Sequence, residues 1–323
     1  MIPPWHAPQL TRQTNTLASK LSIIGAGHVG STTAFAVVMR ELVDSIVIVN
    51  RTRERAEGEA ADLRHAAAFV GRTLRITAGE ISDTSDSDVI VLTHSVPTPA
   101  DLPDRMALAE ENIELFRHWI PLLAQASPEA IFVVVTNPVD VMSYVTWQLA
   151  GVPAGRVIGT GTLIDSARFR AYLSDHLQIH PDDIRAYVLG EHGETQFPAL
   201  SIAATGGRTI DSDPMIESLF ERTRAAGVEV MRRKGHTNYG IAMATTMIIE
   251  SVIRDSRRTL PVSTLINGFQ GVSDVYLSLP AIVGASGVIR VLNPELSNSE
   301  GDRFRQSAAL VRNVLTRCWS KSH

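Results

Sequence analysis

A chain of 323 residues, 44% hydrophobic and 20% charged, is long enough for two domains and has the composition of an ordinary globular protein. Its formal net charge of −4 gives no non-specific pull towards nucleic acid or anionic membrane. The single cysteine, Cys318, excludes an intrachain disulfide and a cysteine-cluster zinc site, so no metal is expected. It also fits a reducing compartment, hence a cytoplasmic protein. No apolar run reaches the roughly 18 residues of a membrane span. Residues 1–20 lack the apolar core of a signal peptide and read as an N-terminal arm, disordered or packed on a neighbouring subunit.

In chain order, residues 21–24 form a short apolar strand that runs into Gly25-Ala26-Gly27-His28-Val29-Gly30, with a helix to about residue 43. Strand 45–50, an alanine-rich helix over 53–68 and strands over 73–78 and 88–93 come next. A long helix from 103 to about 126 contains Pro121, which predicts a bend. Strand 131–136 and helix 139–149 complete the first half. Repeated strand–helix units with apolar strands predict a doubly wound α/β fold, with a parallel sheet covered on both faces. The second half mixes periods, as an α+β domain does. It reads as helix 162–177, strand 184–189, helices 213–234 and 239–255, three antiparallel strands over 262–266, 275–280 and 288–292, and a helix over 299–319. The boundary falls near 159–161, giving a first domain over 21–160 and a second over 161–323.

The glycine motif is the first with a mechanism. Gly25, Gly27 and Gly30 follow a strand and open a helix, the setting in which this spacing binds a dinucleotide. The first two glycines allow a tight turn and close approach of a pyrophosphate, and the third allows close helix–strand packing. His28 and Val29 sit at the helix N-terminus, which favours the anion. Twenty residues past Gly30, where a ribose-binding carboxylate is expected, stands Asn50, followed by Arg51 and Arg53. An amide still bonds a ribose hydroxyl, yet it carries no charge to repel a 2′-phosphate, and a neighbouring guanidinium pairs with one. The cofactor expectation is therefore NAD or NADP, with Thr93, at the end of the fourth strand, also beside it.

A second cluster carries the chemistry. Val188–Thr195 reads V-L-G-E-H-G-E-T and places His192, able to give or take a proton near neutral pH, in a turn after an apolar run. Asp165 and Arg168 are three apart in a helical stretch and share a face. Asn137 ends an apolar strand. A carboxylate to orient an imidazole, a guanidinium to fork a substrate carboxylate and an amide at a strand end make a coherent site.

With these residues in view the chain resembles the L-lactate/malate dehydrogenase family, the L-2-hydroxyacid dehydrogenases, and is nearer their lactate branch. The matching segments are G-A-G-H-V-G at 25–30, D-R-M-A-L-A-E-E-N at 104–112, T-N-P-V-D at 136–140, G-T-G-T-L-I-D-S-A-R-F-R at 159–170, G-E-H-G-E-T at 190–195 and K-G-H-T-N-Y-G-I-A at 234–242. The resemblance implies a Rossmann domain followed by a substrate domain, and hydride transfer between a nicotinamide and an L-2-hydroxy acid. It implies His192 as proton donor and acceptor, and Asp165 as the group that holds its other nitrogen. It implies Arg168 as the grip on the substrate carboxylate and Arg105 as the loop residue that polarises the carbonyl. Asn137 would bond the same oxygen and also lie beside the cofactor, Thr237 would line the side-chain pocket, and Asn137–Pro138 would be cis. It further implies a homodimer or homotetramer.

Several positions depart from the family pattern. His94 and Ser95 replace a small pair near the dinucleotide, so His94 reads as a plain loop histidine or a cofactor contact. The substrate selector falls at Thr98-Pro99, where malate enzymes carry an arginine and lactate enzymes usually a glutamine. Between His94 and Asp104 there is no cation, whereas Asp101 and Asp104 are acidic. A dicarboxylate would bring an unpartnered charge into a closed site, which favours a monocarboxylic 2-oxo acid over a malate-type substrate. Gly227, a pocket position often alanine in lactate enzymes, opens space for side chains beyond a methyl. Arg170 and Arg185 occupy the places of the family's allosteric anion site, so fructose 1,6-bisphosphate or phosphate is a candidate effector, unless Asp182 and Asp183 satisfy them. The alternative to an active enzyme is a catalytically weak dinucleotide-binding sensor or structural protein of the same fold.

Overall fold

The structure is a computed structural model that describes residues 19–96 and 105–319. Most of the predicted arm, together with Thr98, Pro99, Asp101 and Asp104, lies outside the described residues. The first half alternates strand and helix: β1 (Lys20–Ile24), α1 (His28–Met39), β2 (Ser45–Val49), α2 (Arg53–Ala67), β3 (Arg75–Gly79), β4 (Val89–Leu92), α3 (Arg105–Ala126), β5 (Ile131–Val134), α4 (Val139–Ala150) and β6 (Val157–Gly159). These strands are parallel, in the order β3-β2-β1-β4-β5-β6. The order reverses at β1, and this switch point opens a crevice at the carboxyl ends of β1 and β4.

The inner strands β1, β2, β4, β5 and β6 are buried on both faces, whereas the border strand β3 buries only Ile76, and the side chains divide between the faces with the two-residue period of a pleat. Val89, Val91, Ile131 and Val133 enter the apolar core that α1 and α2 cover. Ile90, Leu92, Phe132 and Val134 enter the core that α3 and α4 cover. At roughly 2 kcal/mol for each fully buried large aliphatic side chain, these strands can give up polar alternation and still be held. α1 ends at Met39 rather than near residue 43, because Arg40 caps it and Glu41 turns into the left-handed region at φ 51°.

The second half contains α5 (Leu163–Leu177), β7 (Ile184–Arg185), β8 (Val188–Leu189), β9 (Phe197–Pro198), β10 (Ala204–Thr205), β11 (Arg208–Thr209), α6 (Pro214–Lys234), α7 (Tyr239–Ile253), β12 (Arg258–Phe269), β13 (Val272–Gly284), β14 (Gly287–Val291) and α8 (Asn298–Cys318). The single strand expected over 184–189 is two short ones. β7 pairs with β10, β8 pairs with β9, and residues 186–187 carry the chain from one small sheet to the other. The three antiparallel strands are present, and they extend the main sheet: β12 meets β6 where Ser263 pairs with Gly159. A Cβ at Gly159 would lie 2.3 Å from Ser143 Oγ and 2.7 Å from Ser263 Cβ, so a glycine is what lets β6, α4 and β12 come this close. A third core joins α5 and α6 through Phe169, Leu173, Leu219 and Phe220. Among the described residues no helix is long and apolar enough to cross a membrane.

Candidate active site

The glycine turn sits at the switch point. Gly25 has φ 111°, and a Cβ there would press on His94 N at 2.7 Å. A Cβ on Gly30 would fall 2.0 Å from Gly25 O and 2.8 Å from Thr93 Oγ1, while one on Gly27 meets nothing within 4 Å. Thus Gly25 and Gly30 are demanded by packing, and Gly27 leaves open space above the turn. Thr93 Oγ1 donates to Gly25 O at 2.9 Å. No side chain caps the N-terminus of α1, so its first N–H groups and the helix dipole are free for an anion. Asn50 Oδ1 accepts from Ala26 N–H at 3.1 Å, and its Nδ2 donates to Thr52 O at 3.1 Å. Arg53 pairs with Glu57 and Glu80, whereas Arg51 is exposed and makes no ion pair among the described residues. These features fit a dinucleotide: an uncapped helix start, an open glycine at its centre and no carboxylate at residue 50.

His94 lies in the segment after β4, outside strand and helix, yet it is packed rather than open to solvent. Its ring stacks on Phe116 at 4.8 Å between centroids and lies 5.6 Å from Trp119. Both ring nitrogens are buried. Burial pushes its pKa down to about 4, so it is a neutral core side chain at physiological pH, while Ser95 next to it is exposed.

Three of the predicted catalytic residues, Asp165, Arg168 and His192, come together. Asp165, in the first turn of α5 and 2% exposed, holds His192 Nδ1 at 2.6 Å through one oxygen. Its other oxygen accepts from the Arg168 guanidinium at 3.2 Å. Burial works to raise the Asp165 carboxyl, but the imidazole and guanidinium beside it outweigh that and hold it below its ordinary value. Burial likewise opposes charging of His192, yet the Asp165 carboxylate prevails and raises its pKa. The His192 side chain keeps 24% of its surface exposed, and its Nε2 makes no hydrogen bond among the described residues. Such an imidazole can pass a proton to a bound oxygen. Gly227 faces Arg168: a Cβ there would sit 3.6 Å from the nearer guanidinium nitrogen. Thr237 is half-buried in the loop between α6 and α7. Asn137 follows β5, is exposed, and makes a cis bond to Pro138. Arg105 opens α3.

Two residues inside the quoted motifs had no role assigned from the sequence. Asn112, fully buried on α3, donates from Nδ2 to Asn137 O and accepts at Oδ1 from Val96 N–H, both at 2.9 Å. It ties the end of the β4 loop to the substrate-side turn. Asp140, in the first turn of α4, accepts from His192 N–H at 2.8 Å and from Ser263 Oγ at 2.6 Å. For Asn112 the available signal was a polar residue between Ala109 and Phe116 on a face that is otherwise apolar; Asp140 offered none.

Family models describe the same two halves. Residues 19–159 match the lactate/malate dehydrogenase NAD-binding domain, and residues 162–321 match the lactate/malate dehydrogenase alpha/beta C-terminal domain. The chain belongs to the lactate/malate dehydrogenase family. Within it, an L-lactate dehydrogenase of Synechococcus sp. (strain JA-3-3Ab) is 42% identical over 303 residues, 92% of this chain and 98% of that one. An L-lactate dehydrogenase of Clostridium perfringens (strain SM101 / Type A) is 37% identical over 305 residues, 91% and 95% of the two chains. Among solved structures, the minor L-lactate dehydrogenase of Enterococcus mundtii in a ligands-bound form superposes with a TM-score of 0.90 at 31% identity, covering 93% of this chain and 98% of that one. This family member is a lactate-dehydrogenase-like oxidoreductase with a domain for a nicotinamide cofactor.

Arg170, on α5, feels the charge of Arg185, on β7. Burial lowers the pKa of Arg170, and the nearby charges of Arg185 and Arg258 lower it further against Tyr187 and Asp182. Neither Arg170 nor Arg185 forms an ion pair among the described residues.

Proposed function

We propose that the chain reduces L-2-hydroxyacid precursors, monocarboxylic 2-oxo acids of the pyruvate type, and runs the reverse oxidation. The observation that carries this reading is the 2.6 Å bond between His192 and Asp165 with Arg168 on the same carboxylate. Arg168 would take the substrate carboxylate in a two-pronged grip. His192 would deliver its Nε2 proton to the carbonyl oxygen, and Asp165 would hold the ring and stabilise the imidazolium. Asn137 and Arg105 would bond the same oxygen as charge develops on it. A nicotinamide, held over the turn from Gly25 to Gly30, supplies the hydride when bound. Thr237 and Gly227 would face the substrate side chain. Gly227 leaves room beside Arg168, so chains longer than a methyl should be accepted.

The cofactor reading extends to NADP. Asn50 is neutral and engaged with backbone on both sides, and Arg51 is exposed beside it, so a 2′-phosphate would meet a cation and no carboxylate. The assembly reading is a homotetramer or homodimer in which Arg170 and Arg185 take fructose 1,6-bisphosphate or phosphate, with Asp182 and Asp183 as the competing partners. Sedimentation with and without the bisphosphate tests it, and no change in mass or substrate affinity at millimolar effector would remove its support. The main test is a panel of mono- and dicarboxylic 2-oxo acids with NADH and with NADPH, followed by absorbance of the reduced nicotinamide. Turnover of pyruvate or 2-oxobutyrate well above oxaloacetate is expected. A flat response across the panel would sink the dehydrogenase reading and leave a dinucleotide-binding protein.

A further inference from the structure

Asp140 takes no part in the roles given above, although it sits beside them. The segment Val139-Asp140-Val141-Met142 puts a carboxylate in the first turn of α4 among side chains that are all buried. Asp140 itself is 2% exposed. No cation pairs with it among the described residues. Both of its oxygens accept from neutral donors on other elements, the His192 backbone N–H after β8 and the Ser263 hydroxyl on β12. Burying a carboxylate without a cation is costly, and a well-packed apolar side chain would avoid that cost. Such a group marks a functional position when it touches a reactive one.

Resting on the reading of His192 as the proton donor, we infer that Asp140 is a positioning residue. It fixes the backbone of His192 relative to the Asn137 turn, and its charge governs how firmly the imidazole holds a proton. The first part follows from the chain: Asn137 and Asp140 are three residues apart across the cis bond, so one turn carries the substrate amide and the clamp on the histidine. The second part follows from the charges around Asp140. Glu191 and His192 face it from the turn after β8, Ser263 from β12, and Asp165 and Arg168 lie beyond the imidazole on α5. Burial pushes the Asp140 carboxyl up to about 7, against the pull of Ser263 and of the His192 N–H, with Glu191 adding to the rise.

Asp140 therefore changes charge near neutral pH, and its hydrogen bonds survive the change. Protonated at Oδ1, it donates to Ser263 Oγ, which serves as donor or acceptor, while Oδ2 still accepts from His192 N–H. The ionised form favours the imidazolium and the protonated form does not. In the proposed reduction a bound reduced nicotinamide would supply the hydride to the carbonyl carbon, and His192 gives its Nε2 proton to the carbonyl oxygen. The imidazole is left neutral and regains its proton from solvent, and an ionised Asp140 favours that return.

Two substitutions separate hold from charge. Asp140→Asn keeps an acceptor for His192 N–H and a donor for Ser263 but removes the charge; Asp140→Ala removes both. The His192 midpoint is read by NMR of histidine-labelled protein without cofactor, assigned by its loss in His192→Gln. The pH profile of kcat/KM for pyruvate reduction is read alongside. In Asp140→Asn the His192 midpoint and the alkaline limb both move to lower pH. Activity then falls by at least about threefold near pH 8 and by under about twofold near pH 6. Asp140→Ala loses at least about tenfold in kcat at every pH. An unmoved His192 midpoint in Asp140→Asn overturns the inference. A midpoint that moves in a protein whose wild type reduces no 2-oxo acid upholds the effect of Asp140 on His192 and fails the dehydrogenase reading instead.

Discussion

At the nucleotide end of the crevice, a ligand would meet backbone N–H groups, an uncapped helix start and a glycine with nothing within 4 Å of its missing side chain. At the substrate end it would meet side chains tied to one another, His192 to Asp165, Asp165 to Arg168 and the His192 backbone to Asp140. The nucleotide end is shaped by what is absent, side chains at the glycines and a cap at the helix start. The substrate end is shaped by charges out of water, where each group depends on its partner's protonation state. The two ends should therefore fail in different ways.

The largest expected effect is at the substrate end. His192→Ala should lower kcat by at least about a hundredfold while dinucleotide affinity, measured by quenching of protein fluorescence, stays within about twofold of wild type. Loss of both together would mean that the two ends are not separable. Because Asp165 raises the His192 pKa and reduction consumes the protonated ring, the rate of reduction should fall as pH rises through a midpoint above the ordinary imidazole value. Oxidation should show the opposite slope. His94, packed behind the glycine turn, gives the next effect. Its folded pKa of about 4 lies below the ordinary 6.5, so the unfolded chain binds a proton first as pH falls, and stability is lost between those values. His94→Phe should regain about 2 kcal/mol relative to wild type near pH 5 and little near pH 8, read by urea unfolding; equal changes at both pH values would contradict the buried neutral ring.

Gly30→Ala tests the nucleotide end by packing. The added methyl meets Gly25 O, and overpacking of this kind costs about 1–3 kcal/mol. Weaker dinucleotide binding by about tenfold is expected, with the His192 titration unmoved. The smallest effect is Asn50→Asp, which should shift the ratio of NADPH to NADH affinity by about fivefold towards NADH. A wild type that already prefers NADH by about a hundredfold would remove the case for Asn50.

Much of the nucleotide end was legible because glycines mark steric necessity: a strand, three glycines and a helix leave few arrangements. Asp165 and Arg168 were legible as a pair from helical spacing, and their residue types together with His192 suggested a carboxylate that orients an imidazole; that Asp165 holds the other ring nitrogen came through the family resemblance. What escaped had partners far along the chain. His94 follows a strand and looks like a loop residue; the rings that bury it, Phe116 and Trp119, come from a helix beyond the loop. Asp140 looks like an ordinary first-turn acid, which helices favour, and nothing local names Ser263 or His192 as its partners. The division of residues 184–189 into β7 and β8 was invisible because a continuous apolar run does not say where its partner strand changes. The β10–β11 hairpin did have a signal, the Gly206-Gly207 turn with both φ positive.

The meeting of β6 with β12 also has a consequence for how the protein is made. β6 ends at Gly159, and β12 begins about a hundred residues later. A ribosome adding roughly 5–20 residues per second needs roughly 5–20 s to supply that strand. During this interval the growing sheet carries an unpaired border beside β5. That border is only three residues long, and its last residue is a glycine without a side chain to grip a stray strand. Short borders are poor templates for unwanted pairing, so the brevity of β6 protects the nascent chain until its own β12 arrives.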